Sequence, residues 1–380
     1  MAAPVTDREL DALRLAQRLA ERGRFRTSPN PMVGAVLLRG GDGEQSEPLA
    51  VGWHREVGGP HAEVEALRQV DDARGSTLCV TLEPCAHHGR TPPCADAVIA
   101  AGVRRVVACH RDPDPRVAGE GFARLAAAGI EVTSGHLVDE AVRLNWKYLT
   151  AKLRGRPGVT LKWAMSLDGK IAARSGDSRW ITSEPARRWS LELREVHDAI
   201  LVGSGTALAD DPLLTRRLGR ARGPILRVVL DRRLRLPATA RMLGEPGPVL
   251  VYAAMAIATP ESIDALRERG AEVVVLPAVG PAAVLADLAA RGVHSVLVEG
   301  GGEMLAAFAA AGAFDRVEVA CAPLLVGGRD APGPLGGAGA ERLADALRLD
   351  TLEVRRRGPD VLLGAFRNGC LPDLSASVAG

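Results

Sequence analysis

The stretch "PHAEVEAL" at positions 60–67 sets His61 two residues before Glu63, and "LEPCAHHGRTPPCADA" at 82–97 carries Cys85 and Cys94. One histidine and two thiolates match the three protein ligands of a catalytic zinc site, whose fourth position stays open to water. Zinc lowers the pKa of such a water to roughly 7, which makes hydroxide available at neutral pH. A carboxylate that is not a ligand can then move protons, and Glu63 is placed for that role. His61 and Glu63 do not share a face of a regular helix. They converge only on a metal lying beside a helix's first turn, which is where "GGPHAEVEAL" puts them. Cys85 follows Pro84 at the end of a strand, and Cys94 opens a helix. Two blander readings compete. The zinc is a closed staple with His87 or His88 as fourth ligand, or His61 is an ordinary surface histidine. If neither histidine is a ligand, His87 and His88 are loop residues near a substrate.

H-x-E followed by P-C is the zinc-deaminase signature, but there the second cysteine follows the first by three residues. Here it follows by nine, through "CAHHGRTPPC", which argues against the short-loop nucleoside and transfer-RNA deaminases. The insert resembles the deaminase half of the bacterial bifunctional riboflavin-biosynthesis family. "SPNPMVGAVLL", "GWHREVGGPHAE", "TLEPCAHHGRTPPC" and "DPDPRVAGEGFARLAAAGIEV" are similar to that family's blocks, in its order, over most of residues 25–135. The resemblance implies a cytidine-deaminase-like three-layer domain over residues 1–150, one zinc on His61, Cys85 and Cys94, and Glu63 as the catalytic residue. It also implies hydrolysis of a ring amine from a phosphoribosylamino diaminopyrimidine. The family often has asparagine in its D-P-x-P block, where this chain has Asp114.

The second half is less explicit by itself. "LVGSGTALADDP" offers G-x-G without the third glycine of a dinucleotide fingerprint. "VLVEGGGEMLAAF" is a strand, a glycine turn and a helix, whose bare amides suit phosphate. "SLDGK" and "ADDP" read equally well as turns. As a set, "TLKWAMSLDGKIAARSGDSRWITS", "DAILVGSGTALADDPLLTRR" and "VLVEGGGEML" resemble the reductase half of the same family. That implies a dihydrofolate-reductase-like domain over residues 156–370, with NADPH delivering hydride to the first carbon of the sugar. Cofactor contacts then fall on Ala164, Trp180, Thr206, Asp210, Gly301, Gly302, Glu303 and Met304. Substrate contacts fall on Ser178, Arg194, Leu214, Arg217 and Glu299, with Lys162 in reach. Arginine suits the substrate's phosphate because guanidinium binds it in two-pronged fashion. The alternatives are that Arg194 is solvated on the charged helix "LELREVHD" and that Trp180 is core. For the proton that the reduction consumes, Asp210 and Glu299 are the nearest carboxylates, and water is the third source.

The elements that must hold these residues alternate. Thr6 and Glu9 make a capping-box pattern ahead of Leu10, Leu13, Leu19 and Ala20. "SPNPMVGAVLL" reads as a turn entering a strand, "HAEVEALRQV" as a helix, and "STLCVTLEP" as a buried strand ended by proline. "CADAVIAAG", "VRRVVAC" and "GEGFARLAAAGIEVTSG" continue the alternation, which argues for α/β layers. Near 150 the texture changes, and "TAKLRGRPGV" reads as a glycine- and proline-broken connection. Strands recur at "VTLKWAM", "DAILVG", "ILRVVLD", "PVLVYAA", "AEVVVLP" and "HSVLVEGG". "FDRVEVACAPLLVGG" and "DTLEVRRRGPDVLLGAF" close the domain as antiparallel strands.

At 380 residues two domains are the default. A formal charge of +2 and 3% aromatic residues disfavour nucleic-acid and anionic-membrane partners. No apolar run is long enough for a bilayer, and acids stand among the first ten residues, so a cytoplasmic enzyme is expected. Six cysteines there stay reduced. Cys79, Cys109, Cys321 and Cys370 have bland surroundings and read as small buried hydrophobes. A small-molecule substrate and a homo-oligomer are expected. Three other readings remain: an RNA-modifying deaminase, a non-catalytic zinc scaffold, and a deaminase carrying a dead reductase, against which the intact "SLDGK", "ADDP" and "EGGG" weigh.

Overall fold

A computed structural model describes residues 3–39, 47–87, 92–115 and 117–375. The chain divides into two compact units, Met1–Arg154 with Leu371–Gly380, and Gly155–Cys370. In the first unit the elements are α1 (Asp7–Ala20), β1 (Gly34–Leu38), β2 (Ala50–Trp53), α2 (Ala62–Leu67), β3 (Thr77–Val80), α3 (Cys94–Ala100), β4 (Arg105–Ala108), α4 (Glu120–Ala127), β5 (Glu131–Thr133) and α5 (Val138–Arg154). The predicted capping box is present: Glu9 N donates to Thr6 Oγ1 at 3.2 Å, and Thr6 N donates to the Glu9 carboxylate at 2.9 Å.

The strands run β2-β1-β3-β4-β5, with β1 antiparallel to both neighbours and β3, β4 and β5 parallel. Alternating residues on each strand make this a three-layer unit. Ala35, Leu37, Leu78, Val80, Val106 and Ala108 face one way, onto Ala62 and Ala66 of α2, Ala95 and Val98 of α3, and Phe122 and Leu125 of α4. Val36, Leu38, Cys79 and Val107 face the other way, onto Leu13, Ala16 and Leu19 of α1 and Ala141 of α5. Gly34 allows this close approach, since a Cβ there would lie 1.9 Å from Ala16 O.

Two elements differ from the sequence reading. α2 stops at Leu67 instead of running on through Val70. The segment read as a loose connection is helix as far as Arg154, with Thr150 buried; the break begins only at Gly155, where φ is +61°. Leu371 and Leu374, beyond the second unit, pack against Val138, Val142, Tyr148 and Leu149 of α5.

The second unit comprises β6 (Gly158–Ser166), α6 (Glu184–Glu195), β7 (Ala199–Gly203), α7 (Ser204–Asp210), β8 (Leu226–Leu230), β9 (Val249–Ala254), α8 (Pro260–Arg267), β10 (Ala271–Leu276), α9 (Pro281–Ala290), β11 (Ser295–Val298), α10 (Gly302–Ala310), β12 (Arg316–Ala322), β13 (Glu353–Arg357) and β14 (Asp360–Phe366). Its sheet has the order β10-β9-β8-β7-β11-β6-β12-β14-β13. It is parallel from β10 to β12 and antiparallel at β12-β14-β13, as the closing segments predicted. One face buries α9 and α10 through Val284, Leu288, Leu305 and Phe308. The other buries Ala207 of α7, Leu266 of α8 and the loop residues Leu214, Leu234 and Met242. Trp189 of α6 packs on Ala320 and Leu362.

Candidate active sites

His61 is the residue preceding α2, in extended geometry (φ −77°, ψ 165°). Cys85 lies in the loop beyond β3, and Cys94 is the first residue of α3, after Pro93. Their ligand atoms all fall within 4.8 Å of one another. His61 Nδ1 is 3.1 Å from Cys94 Sγ and 3.5 Å from Cys85 Sγ. Tetrahedral zinc, at roughly 2.0 Å from nitrogen and 2.3 Å from sulfur, separates such ligands by about 3.6 Å. The donor set therefore fits zinc in number, chemistry and spacing. The Cys85 thiol is drawn down to about 4, chiefly by its hydrogen bond with Cys94, with the His61 contact adding to it. Thiolate is the form that binds metal.

Glu63 is the second residue of α2 and is 3% exposed. Its Oε2 has no hydrogen-bond partner among the described residues. Burial pushes its carboxyl up to about 7, against the opposing pull of His61. A carboxyl poised there can take and return a proton near neutrality. His87 is half-buried, with its Nδ1 buried and unbonded among the described residues; His88 lies outside them.

Several residues that the sequence reading did not single out hold this site. His54 is buried and meets the His61 ring edge-on at 5.2 Å. Its Nδ1 is 3.0 Å from Pro60 O, which can only accept, so Nδ1 carries the hydrogen. Nε2 then accepts from Asn30 Nδ2 at 3.2 Å. Burial lowers the pKa of His54 and keeps it neutral. Glu83, two residues before Cys85, accepts from the backbone amides of Asp112, Gly119 and Phe122 at 3.0–3.2 Å. Asn145 of α5 accepts from Met32 N and donates to Met32 O, both at 2.8 Å. Asp114 is 4% exposed and meets Lys152 Nζ at 2.9 Å, so its extra charge is balanced. Asn30, His54 and Glu83 stand inside blocks quoted above, but no periodicity marks them. Cys79, Cys109 and Cys370 are buried and Cys321 is half-buried, all outside the metal cluster.

In the second unit a cavity of about 1310 Å³ opens at the C-terminal ends of β6, β7, β8 and β11, where α/β sheets commonly take ligands. Ala164, Trp180, Thr206, Asp210, Gly301, Gly302, Glu303 and Met304 all line it, as do Lys162, Ser178, Arg194, Leu214, Arg217 and Glu299. Gly301 N donates to Thr206 Oγ1 at 3.0 Å, tying the glycine turn to α7. Side chains at Gly203 or Gly300 would strike Met304. Asp210 pairs with Arg179 at 3.1 Å. Trp180 is 70% exposed, which removes the core reading, and the Arg187 guanidinium lies 4.6 Å over its ring. Leu214 is buried in the apolar layer behind the cavity wall.

Arg194 is not solvated. Its Nε and Nη2 each donate to a Glu299 oxygen at 2.9 Å, so its two-pronged face is already engaged. Lys162 Nζ lies 3.8 Å from the same carboxylate. Burial would raise Glu299, but Arg194 and Lys162 outweigh it and hold the carboxyl at about 2. Burial lowers Lys162, with Glu299 opposing. Arg217 is exposed, and its one hydrogen bond among the described residues is a long one, 3.5 Å to Thr215 Oγ1. Arg217 rather than Arg194 is thus the open guanidinium on this side.

Residues 157–363 match the family profile of the RibD C-terminal domain, and residues 6–110 match that of the cytidine and deoxycytidylate deaminase zinc-binding region. The chain is 42% identical to the riboflavin biosynthesis protein RibD of Escherichia coli, over 92% of this chain and 96% of that one. It is 41% identical to RibD of Bacillus amyloliquefaciens, over 92% and 94%. The solved RibD of Acinetobacter baumannii superposes with a TM-score of 0.83 at 38% identity, covering 95% of this chain and 99% of that one. A Thermotoga maritima deaminase/reductase superposes with 0.81 at 34% identity, covering 95% and 99%.

Proposed function

The chain belongs to the RibD family of bifunctional riboflavin-biosynthesis enzymes, and from that premise we propose how its residues divide the two reactions. The enzyme deaminates its pyrimidine substrate hydrolytically and reduces the ribosyl side chain to ribityl, using zinc for the first step and NADPH for the second. We assign the deamination to residues 1–150 and the reduction to 156–370.

In the first unit His61, Cys85 and Cys94 hold the zinc. Zinc, when bound, supplies a Lewis acid that makes water nucleophilic at neutral pH. Glu63 Oε2 would hold the proton that the attacking water gives up and pass it to the departing amine. The observation that carries this reading is the convergence of three ligand atoms beside a buried, unpartnered carboxylate oxygen. His54 and Asn30 fix the approach to α2, and Glu83 ties the amides of Asp112, Gly119 and Phe122 to the strand end that leads to Cys85.

In the second unit NADPH, when bound, supplies the hydride. Ala164, Trp180, Thr206, Asp210 and Gly301–Met304 line its place, and Ser178, Leu214, Arg217, Arg194, Glu299 and Lys162 that of the substrate. Glu299 has no proton to give at neutral pH, because its carboxyl is held at about 2. Lys162, buried and shifted down, is the proton donor this group of side chains offers. Glu299 holds Lys162 and Arg194 in register, and Arg217 is left for the substrate phosphate.

We assign the enzyme to the cytoplasm; no described helix is long and apolar enough to cross a membrane. We also propose a homo-oligomer. Support comes from β13, an edge strand exposed along its whole length with Val354 63% exposed, because an unpaired edge can accept another strand. Light scattering on the purified chain tests this, and a monomer would refute it. Incubation with the diaminopyrimidine substrate, with and without NADPH, tests the two activities. Ammonia release without NADPH, and NADPH loss only after it, is the expected order.

A further inference from the structure

The "SLDGK" run at 166–170 stands between two stretches that line the cavity of the second unit, Lys162–Ala164 and Ile171–Ala172, yet none of its own five residues lines it. Its backbone is a turn. Ser166 N donates to Lys170 O at 2.9 Å, Gly169 N donates to Ser166 O at 3.0 Å, and Gly169 takes a φ of +78°, which favours glycine. An aspartate that only shaped this turn would bond its own backbone. Asp168 reaches out of it. One carboxylate oxygen accepts from Ser166 Oγ at 2.6 Å and from Val326 N at 3.1 Å, and the other accepts from Gly327 N at 2.7 Å. Ser166 and the two amides draw the carboxyl down to about 2, so it is ionised at neutral pH and its bonds are charge-assisted. Lys170 Nζ donates to Ala331 O at 2.9 Å. Backbone bonds flank both side chains: Leu167 N donates to Leu324 O at 2.8 Å, and Ile171 N donates to Pro332 O at 3.0 Å.

What the turn grips is the segment that leaves β12. Residues 323–342 form no helix or strand, so they have no ladder of their own to fix their course. β12 and β13 each pair with β14, which leaves the connection between them free to take other courses. Connections of this length without regular structure are usually functional. Held at 324–332 by the turn, the segment next meets the glycine turn ahead of α10. Gly336 N donates to Gly302 O at 3.0 Å. A Cβ at Gly302 would lie 3.0 Å from Gly333 O, and one at Gly336 would strike Glu303 Oε1. Gly301, Gly302 and Glu303 line the cavity, whereas residues 324–336 do not. Thr206 Oγ1 holds Gly301 from α7, and the segment holds the residue after it.

On the reading that this cavity takes NADPH, we propose that Asp168, with Lys170 beside it, is a positioning residue for the reduction. It fixes the course of residues 324–336, and through them the glycine turn against which the cofactor is placed. The motif thus acts on the reaction from outside the cavity.

The test uses the full chain with Asp168→Ala and with Asp168→Asn, which keeps the size and one acceptor oxygen but not the charge. Hydrogen exchange on the cofactor-free chain gives the first readout. The amides of 324–336 and of Gly301 and Gly302 should exchange faster in Asp168→Ala, with the rest of the sheet unchanged. NADPH binding is followed by its fluorescence, and kinetics on deaminated substrate separate the two ligands. A misplacement of about 1 Å can cost about a hundredfold. kcat/KM for NADPH should therefore fall about ten- to a hundredfold, while KM for the phosphoribosyl substrate and ammonia release stay as in the wild type. Asp168→Asn should lie between. If circular dichroism shows that Asp168→Ala does not fold, Asp168→Asn and Lys170→Met carry the same measurements. Faster exchange at 324–336 alone, with the glycine turn and NADPH kinetics unchanged, would make Asp168 a loop anchor only. Equal losses with both ligands would mean general damage to the unit. Unchanged exchange would mean that the segment is held without Asp168. Each of these three results overturns the proposal. A wild-type chain that neither binds nor oxidises NADPH would overturn the cofactor reading instead, and the exchange data would still decide whether Asp168 holds the glycine turn.

Discussion

Glu63 and Glu299 are both buried glutamates, yet their surroundings send them in opposite directions. For Glu63 burial outweighs the pull of His61 and the carboxyl rises to about 7, whereas Glu299 faces two cations and stays at about 2. Glu63→Gln should keep one zinc per chain and abolish ammonia release, since it removes a proton carrier and no ligand. Cys85→Ser should lose both metal and activity. Metal analysis beside an ammonia assay decides, and zinc loss in Glu63→Gln would make Glu63 a ligand. Glu299→Gln leaves Lys162 and Arg194 buried without their anion. Breaking such a group costs roughly 3–5 kcal/mol, to be read from denaturant unfolding. The sign for pH follows from a folded pKa below the unfolded one. The stabilisation by Glu299 is present above about 4.5, the ordinary glutamate value, and is lost as pH falls toward 2. The acid limb of a pH–stability profile should therefore flatten in Glu299→Gln.

Among the elements, α5 has the least obvious role and the clearest consequence. Asn145 stands at a kink of α5 (φ −105°, ψ 17°), and Tyr148 and Lys152, spaced by four, follow it on one face of the helix. Asn145 holds Met32, Tyr148 OH donates to Asp112 at 3.0 Å, and Lys152 pairs with Asp114. The kink and the helix after it thus brace both the "SPNPM" turn and the loop that Glu83 ties toward Cys85. Lys152→Met should leave Asp114 short of a counter-charge, destabilise the first unit by about 1–3 kcal/mol and slow deamination. Asp114→Asn in the same chain should restore both, because the charge that needed Lys152 is gone. If the double variant is as impaired as Lys152→Met, the lysine acts through something other than Asp114.

At the level of the whole chain, the last residues matter to the first unit. Leu371 and Leu374 cover apolar residues of α5. Leu371→Ala with Leu374→Ala should therefore lower the melting temperature of the zinc-bearing unit, at about 1–2 kcal/mol for each side chain given their partial burial. Unfolding of residues 155–370 should be unaffected, a comparison that differential scanning calorimetry can make. A fragment ending near Leu153 should be less stable than the same unit in the full chain. Chelation of zinc should stop ammonia release and leave NADPH-dependent reduction of deaminated substrate intact. Loss of reduction on chelation, with the fold preserved, would contradict two independent sites.

The grouping of His61, Cys85 and Cys94 beside Glu63, and the alternation of strands and helices, were legible in the sequence because each rests on local signals. Metal ligands have fixed chemical types, and a turn such as Pro84–Cys85 or an opening helix such as Cys94–Ala100 can be read from a few neighbours. The residues that the family resemblance proposed for cofactor and substrate all line one cavity, although nothing in their own spacing required it. Tertiary structure alone decided the rest, because those contacts join residues far apart in the chain. Arg194 reads in sequence as a substrate contact, with a solvated helix position as the alternative; Glu299, just past β11, closes on it and removes that alternative. Asn145 could not be read as a clamp until Met32 was brought against it, 113 residues away. Sequence determines which groups are available and the local turns that present them; the long-range packing of strand ends determines which charges meet and which are left open for a ligand.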